Sequence, residues 1–342
     1  MPVDPSLLPK AIAKIHETYG KNAIHKAAEK QALRRIPTGS LELDWATGGG
    51  IPIGRWAHFY GGYSSAKTTT ALNVVRNAQE MGFLVALYNI ENSFHEGQAK
   101  EMGIDLDKLE VVEGTTIEGV GTKLETLLGA VHVHVLDSLA AAVSVDELNA
   151  KLEEWQMGLM ARAWGKVLRR ANERFDDNEN CVIMVNQVRD SFGYGGGESP
   201  PGGRFIEHMS SMSLYFRKAG WLYRDIDGLL RTKDEINPTI GLSGDNEPDG
   251  IEFVVRVEKS RVGRPFRVGR MRYDFRALAY DDSWALMKAA RFFNVIEKTS
   301  EKSSWYKLPD GTTVQGEQKI RDALVGDKKL RTQVLKAMEN AA

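Results

Sequence analysis

The sequence predicts an α/β fold: a mainly parallel sheet with helices on both faces, a small helical N-terminal lead and a small C-terminal α/β domain. Three observations predict it. The stretches 83–90, 131–136 and 181–185 are apolar almost throughout, which suits strands buried on both faces. Segments with helical spacing separate them, the order of a parallel sheet with crossover helices. A loop, Tyr60-Gly61-Gly62-Tyr63-Ser64-Ser65-Ala66-Lys67-Thr68-Thr69-Thr70, joins a short aromatic strand to a helix whose apolar face is Ala71, Val74, Val75 and Ala78. Functional residues are then expected at the carboxyl ends of the strands.

At 342 residues the chain exceeds one ordinary core, so two domains or one domain with appendages are expected. Hydrophobic content of 42% with 27% charged residues is that of a globular chain, and a net charge of −1 excludes global basicity as a route to nucleic acid. The single cysteine, Cys181, lies in an apolar run and is expected as a core thiol in a reducing compartment. No export signal opens the chain and no run is of membrane-spanning length, so an intracellular location is expected.

In chain order, Leu8, Ile12, Ile15 and Tyr19 form one helical stripe that Gly20 ends. Seven Lys/Arg between residues 5 and 35 fit a solvated amphipathic helix or an arm that docks on a neighbouring subunit. Ser40 caps a short helix, and 48–55 form a Gly/Pro loop into the first core strand. Beyond the helix that follows the 60–70 loop, strands are expected at 83–90, 109–112, 131–136 and 181–185. Helices are expected at 97–102, 117–128 and, as one long region, 147–175. The stretch 190–204 is too rich in Gly and Pro for a regular element and is expected as a long mobile loop. A second irregular stretch covers 232–250, and 253–257 is a strand. Residues 252–276 hold eight Arg/Lys, and a small domain is expected from about residue 285.

The loop has the form Gly-x-x-x-x-Ala-Lys-Thr, one residue from the phosphate-binding consensus. Backbone N–H groups and a helix N-terminus favour an anion there. Lys67 would reach the β- and γ-phosphates, and the Thr68 hydroxyl would bind Mg²⁺. Ala66 stands where Gly is usual. A strand ending in an acid should hold Mg²⁺ through water, and Asp137 after 133–136 fits. Glu91 ends another strand at this edge, as a base for an attacking water or as a helix N-terminal acid. Gln187 ends a third just before the loop, placed to sense a γ-phosphate. His132 and His134 alternate on one strand without a third ligand nearby, which favours packed positions over a metal pair.

These residues together resemble the RecA family of ATP-dependent recombinases, most closely the divergent versions that bacteriophages encode. The matching pieces stand in order: Thr38-Gly39-Ser40-Leu41 with Asp44, Gly54-Arg55, Ser64-Ser65-Ala66-Lys67-Thr68-Thr69, Glu91, Asp137-Ser138, Asn186-Gln187-Val188-Arg189, Gly202-Gly203, Val257-Glu258-Lys259-Ser260-Arg261 with Pro265-Phe266, and the Ser304-Trp305-Tyr306 region. They cover roughly residues 8 to 335.

The resemblance implies a RecA-like P-loop ATPase. Its segments would be an N-terminal helical, oligomerising part (1–35), an ATPase and DNA-binding core (36–284) and a C-terminal domain (285–342). Gly61, Gly62, Tyr63, Ser64, Ser65, Ala66, Lys67, Thr68 and Thr69 would bind ATP, Thr68 and Asp137 would hold Mg²⁺, and Glu91 would activate water. Gln187 would sense the γ-phosphate, while Lys259 and Arg261 would reach a neighbour's nucleotide in a helical filament. Arg189, Phe192, Tyr194, Gly202, Gly203 and Arg204 would face single-stranded DNA. The activity implied is DNA-dependent ATP hydrolysis coupled to homologous pairing and strand exchange with duplex DNA, in a bacterial cytoplasm that could be a phage host's.

Two other readings share the core: a ring helicase, and a single-stranded-DNA coat that uses ATP mainly as a binding switch because of Ala66. The departures from the family are Ala66 for Gly, His95 and Gln98 for the Asp and Tyr near the adenine, Glu207-His208 for Lys-Phe, Arg261 for Lys, a longer 218–250 stretch and no acidic C-terminal tail.

Overall fold

A computed structural model describes residues 3–20, 23–24, 26, 33–151, 158–176, 179–190, 198–225, 228–236, 247–301 and 303–341. Two compact units divide the chain, residues 1–34 and residues 35–342. In the first, Asp4 caps a 3₁₀ turn that leads into α1 (Leu8–Tyr19). Gly20 ends α1 at φ 90° and ψ 165°, a conformation that suits glycine. None of α1's residues is fully buried, and Ile12 and Ile15 of its stripe are partly covered.

In the second unit β1 (Arg35–Ile36) pairs with β2 (Ile51–Pro52) around α2 (Leu41–Thr47), which Ser40 caps by accepting from the Leu43 N–H. β3 (Arg55–Gly61) leads through the phosphate loop into α3 (Lys67–Glu80). There follow β4 (Val85–Asn89), α4 (Glu96–Glu101), β5 (Leu109–Glu113), α5 (Ile117–Leu127) and β6 (Val133–Asp137). The long helical region expected at 147–175 is instead α6 (Val145–Asn149) and α7 (Leu159–Asn172). Ala150 turns extended after α6, and Gly158 at φ 77° starts α7 afresh, so one helical period does not run through; 152–157 lie outside the described residues.

β7 (Cys181–Gln187) lies between β3 and β6, parallel to both. The ends of the expected loop are partly regular. β8 (Arg189–Asp190) pairs antiparallel with β9 (Glu198–Ser199), and α8 (Arg204–Met209) begins at the loop's last residue. Phe192 and Tyr194 lie outside the described residues, as do the side chains of Arg189 and Asp190.

Next come β10 (Met212–Arg224), β11 (Leu230–Arg231), β12 (Gly250–Ser260), β13 (Val268–Asp274) and β14 (Ala279–Tyr280). Within the stretch expected as irregular, a 3₁₀ turn covers Lys233–Glu235; 237–246 lie outside the described residues. The chain ends with α9 (Asp282–Phe292), the small sheet β15 (Glu297–Lys298), β16 (Trp305–Lys307) and β17 (Thr313–Gln315), then α10 (Gly316–Gly326) and α11 (Lys328–Ala341).

The main sheet runs β14-β13-β12-β10-β3-β7-β6-β4-β5, with β11 on β10. From β10 to β5 every pair is parallel, while β12, β13 and β14 extend the other side as an antiparallel ladder. Period-two side chains feed two cores. Phe59, Val135 and Ile183 pack with Val74 and Ala78 of α3 on one face; Trp56, Leu136 and Met184 pack with Leu124 of α5 and Leu168 of α7 on the other. A third core joins α9, α10, α11 and Tyr306, with Leu41 and Trp45 of α2 against it.

Candidate ATPase and DNA-binding site

Four strand ends meet at one edge because β3, β7, β6 and β4 are neighbours and parallel. They carry Lys67 beyond β3, Glu91 beyond β4, Asp137 at the end of β6 and Gln187 at the end of β7.

The loop itself is built for close approach. A Cβ on Gly61 would lie 2.1 Å from the Phe216 carbonyl oxygen of β10, so only glycine lets the two strands stay in register. The Lys67 ammonium donates to the carbonyls of Gly61 (3.0 Å) and Gly62 (2.6 Å) and to the Ser65 hydroxyl (3.3 Å). Burial lowers its pKa, against the raising charges of Asp137 and Glu91. Helix α3 begins with no side-chain cap, so its first turn presents backbone donors and the positive end of its dipole to whatever sits in the loop. A buried lysine, an uncapped fourteen-residue helix and a nearby carboxylate–hydroxyl pair fit a triphosphate with its cation.

Ala66 adopts φ 71°, the left-handed conformation, at the N-cap of α3. An L-residue with a Cβ pays roughly 1–2 kcal/mol there, less the backbone entropy a glycine would lose. Ala66→Gly is therefore expected to stabilise the protein by about 1 kcal/mol, read as a raised urea midpoint at unchanged slope. An unchanged or lowered midpoint would show that the alanine is not strained.

Thr68 donates its hydroxyl to Asp137 Oδ2 at 2.7 Å, which places the two expected Mg²⁺ ligands side by side. Burial pushes the Asp137 carboxyl up to about 6, with Glu91 adding to the rise and Thr68 and Lys67 opposing it. Because the folded pKa lies above the unfolded one, this group's contribution to stability is greatest below about pH 4. It declines as pH rises through about 6, by about 3 kcal/mol in all. Asp137→Asn is expected to gain stability on the wild type between about pH 4 and pH 7.5, measured without nucleotide. A pH-independent difference would remove the burial penalty from the account.

Glu91 receives two donors on Oε1, the Ser138 hydroxyl and the Gln187 side-chain amide, the latter at 2.8 Å. Next to Gln187, the Asn186 amide donates to the Pro201 carbonyl at 2.8 Å, and the Asn186 oxygen accepts from the Gln187 N–H at 3.0 Å. In the sequence Asn186 and Ser138 stand only as parts of motifs. Their roles as a brace on the loop and a donor to Glu91 depend on contacts across 15 and 47 residues. Gly202 and Gly203, both at positive φ, turn the chain into α8, and Arg204 begins that helix, exposed.

Lys259 and Arg261 bond to other partners than Lys67 does. Lys259 donates to the Glu207 carbonyl and Arg261 to the His208 carbonyl at 2.9 Å, so both cations sit on the last turn of α8. Burial, then Arg261, lowers the Lys259 pKa. His95 caps α4, accepting from the Gln98 N–H at 3.2 Å; both line a cavity with Thr68, Leu72, Leu87, Phe94 and Asp137. His134 is buried, donating through Nε2 to the Val131 carbonyl and accepting from the Tyr88 hydroxyl, with burial pushing its pKa down to about 4. His132 accepts from the Leu84 N–H. Cys181 is fully buried, and burial raises its thiol to about 12.

The family model described as the RecA N-terminal domain matches residues 6–275. Protein RecA of Fusobacterium nucleatum is 32% identical over 97% of this chain and 83% of its own length. For Protein RecA of Thermus aquaticus the figures are 33%, 93% and 88%, and for that of Aquifex aeolicus 31%, 97% and 91%. With the family model covering most of its length and these relatives covering nearly all of it, the chain belongs to the RecA family.

Proposed function

We propose that this chain is an ATP-dependent recombinase, a DNA-dependent ATPase that pairs homologous DNA strands in recombination and repair. One observation carries the reading: the Gln187 amide bonds Glu91 while its neighbour Asn186 braces Pro201, so the expected γ-phosphate sensor and water base are tied to the loop expected to meet DNA. The phosphate loop and Lys67 would hold ATP, Thr68 and Asp137 would hold Mg²⁺, and that ion would offset charge on the phosphates. Glu91 takes the proton of the attacking water. Gln187 changes partner from Glu91 to the terminal phosphate and thereby moves Asn186 and the loop. Arg189, Phe192, Tyr194, Gly202, Gly203 and Arg204 hold single-stranded DNA by backbone charge, stacking and close main-chain approach. Sequence choice comes from base pairing.

Lys259 and Arg261 leave α8 to reach a neighbouring copy's nucleotide, which makes a helical self-assembly the working form. In this reading residues 1–35 serve assembly, 36–284 the chemistry and 285–342 form a separate C-terminal domain. The departures at Ala66, His95, Gln98, Glu207 and His208 are those of a divergent, phage-encoded member. Among the described residues no helix is long and apolar enough to cross a membrane, and the site proposed for the work is the bacterial cytoplasm. Electron microscopy with single-stranded DNA tests the whole. Regular filaments are expected with a non-hydrolysable ATP analogue and Mg²⁺; isolated particles under those conditions overturn it.

A further inference from the structure

Under α8 the sheet carries buried polar side chains that nothing bonds. Phe59 of β3 and Met212 and Leu214 of β10 enter the core on the α3 face, so alternation turns Trp56, His58 and Ser213 to the opposite face. There α8 packs on β3, with its Ile206 in one cluster with Trp56. None of Trp56, His58 and Ser213 is more than 4% exposed. Among the described residues, the Trp56 indole Nε1, both His58 ring nitrogens and the Ser213 hydroxyl have no hydrogen-bond partner. The ladder sets these groups together: Ser213 stands opposite His58 on one side and opposite Lys259 on the other. The His58 ring stacks on Tyr60, centroids 4.9 Å apart, which fixes its plane. Burial, then the Lys259 charge, pushes its pKa down to about 3, so the ring is neutral and offers one N–H and one lone pair.

Four buried polar atoms without partners in one place are a standing cost, and relief of that cost can drive a movement. The helix above them is held from its other side, by Lys259 on the Glu207 carbonyl and Arg261 on the His208 carbonyl. In that position no carbonyl of α8 meets the donors below. We infer that His58 is a positioning residue and that, with Trp56 and Ser213, it forms a second seat for α8, taken when Lys259 and Arg261 leave for a neighbouring copy's nucleotide. The inference rests on the trans role proposed for those two cations. Once they leave, the Glu207 and His208 carbonyls stand at the surface and can turn to solvent, whereas the imidazole, indole and hydroxyl below are shut off from it. Those buried donors are satisfied only if the last turn of α8 settles onto them. Arg204 opens α8 directly after Gly202 and Gly203, so the movement reaches the DNA loop at its far end, while Asn186 holds Pro201 at the near side. A nucleotide bound by the next copy then acts on this copy's loop by a path that bypasses Gln187 and Glu91.

Two substitutions test the seat. His58→Leu removes both ring nitrogens, and His58→Gln keeps one donor and one acceptor in a side chain of similar reach. His58→Leu is expected to keep or raise the urea midpoint of the dilute chain, since it deletes unpartnered buried atoms. With single-stranded DNA its kcat for ATP should fall by about tenfold, with KM within about twofold of wild type. His58→Gln should recover at least about half of the wild-type kcat. Wild-type kcat in a folded His58→Leu chain overturns the inference and leaves the recombinase reading standing. So does a His58→Gln chain as slow as His58→Leu, which would make the position one of shape alone. Wild type whose turnover DNA does not stimulate overturns both. A spectroscopic readout needs no stable leucine variant. Wild type carrying ¹⁵N-labelled histidine is compared as the dilute chain and as filaments on single-stranded DNA with Mg²⁺ and a non-hydrolysable ATP analogue, the His58 signals being those that vanish in His58→Gln. The ring N–H is expected to be unbonded in the first and hydrogen-bonded in the second. A ring bonded alike in both, the mark of an ordered water as a standing partner, overturns the seat.

Discussion

Lys259→Ala is expected to lower DNA-stimulated ATP turnover by about a thousandfold or more, while nucleotide affinity changes by less than about threefold, because a cation that meets the developing phosphate charge from outside acts on the transition state. In the free chain the same ammonium covers the Glu207 carbonyl at the end of α8. Its loss should cost stability by about 1 kcal/mol, too little to unfold the protein. A mixing experiment distinguishes a role in trans from one within the chain. Lys67→Ala alone and Lys259→Ala alone should each be inactive. Mixed in equal amounts, roughly a quarter of junctions would join an intact phosphate loop to an intact cation, restoring roughly a quarter of wild-type turnover. Normal turnover in Lys259→Ala, or no recovery on mixing, would remove the trans role.

Glu91→Gln is expected to lower turnover by about a hundredfold or more and to leave ATP and DNA binding intact. Glutamine keeps an oxygen for the Ser138 hydroxyl and the Gln187 amide, so the geometry at Oε1 can persist. What it loses is the ability to take a proton. Both protein donors go to the same carboxylate oxygen, Oε1. The variant should therefore assemble on single-stranded DNA with ATP itself as stably as the wild type does with a non-hydrolysable analogue. Turnover within a few-fold of wild type would exclude Glu91 as the base and favour the reading in which it is only a helix N-terminal acid.

The sequence by itself determined whatever lies within one continuous segment. The phosphate loop was legible because its glycines, Lys67 and Thr68 act through a single turn of backbone and the start of α3. Asp137, Glu91 and Gln187 were legible as strand ends because apolar runs stop at them, and parallel order puts such ends on one edge. The left-handed twist at Ala66 was foreshadowed by the glycine usually found there. The family resemblance followed from the order of these pieces.

Tertiary structure alone decided which of those ends touch. The bond from Gln187 to Glu91 spans 96 residues, and it forms because strand order sets β7 two places from β4, with β6 between. The seating of Lys259 and Arg261 on α8 spans about fifty residues and depends on β12 lying beside β10. Periodicity describes one strand's faces and is silent about its neighbours. For the same reason the antiparallel extension β12–β14 was read only as one strand and a basic cluster. The break between α6 and α7 does not show in the sequence because helical spacing on both sides of Gly158 continues in composition but not in backbone. Free energy of long-range pairing, summed over the whole sheet, chose these contacts, and no local window of sequence contains that sum.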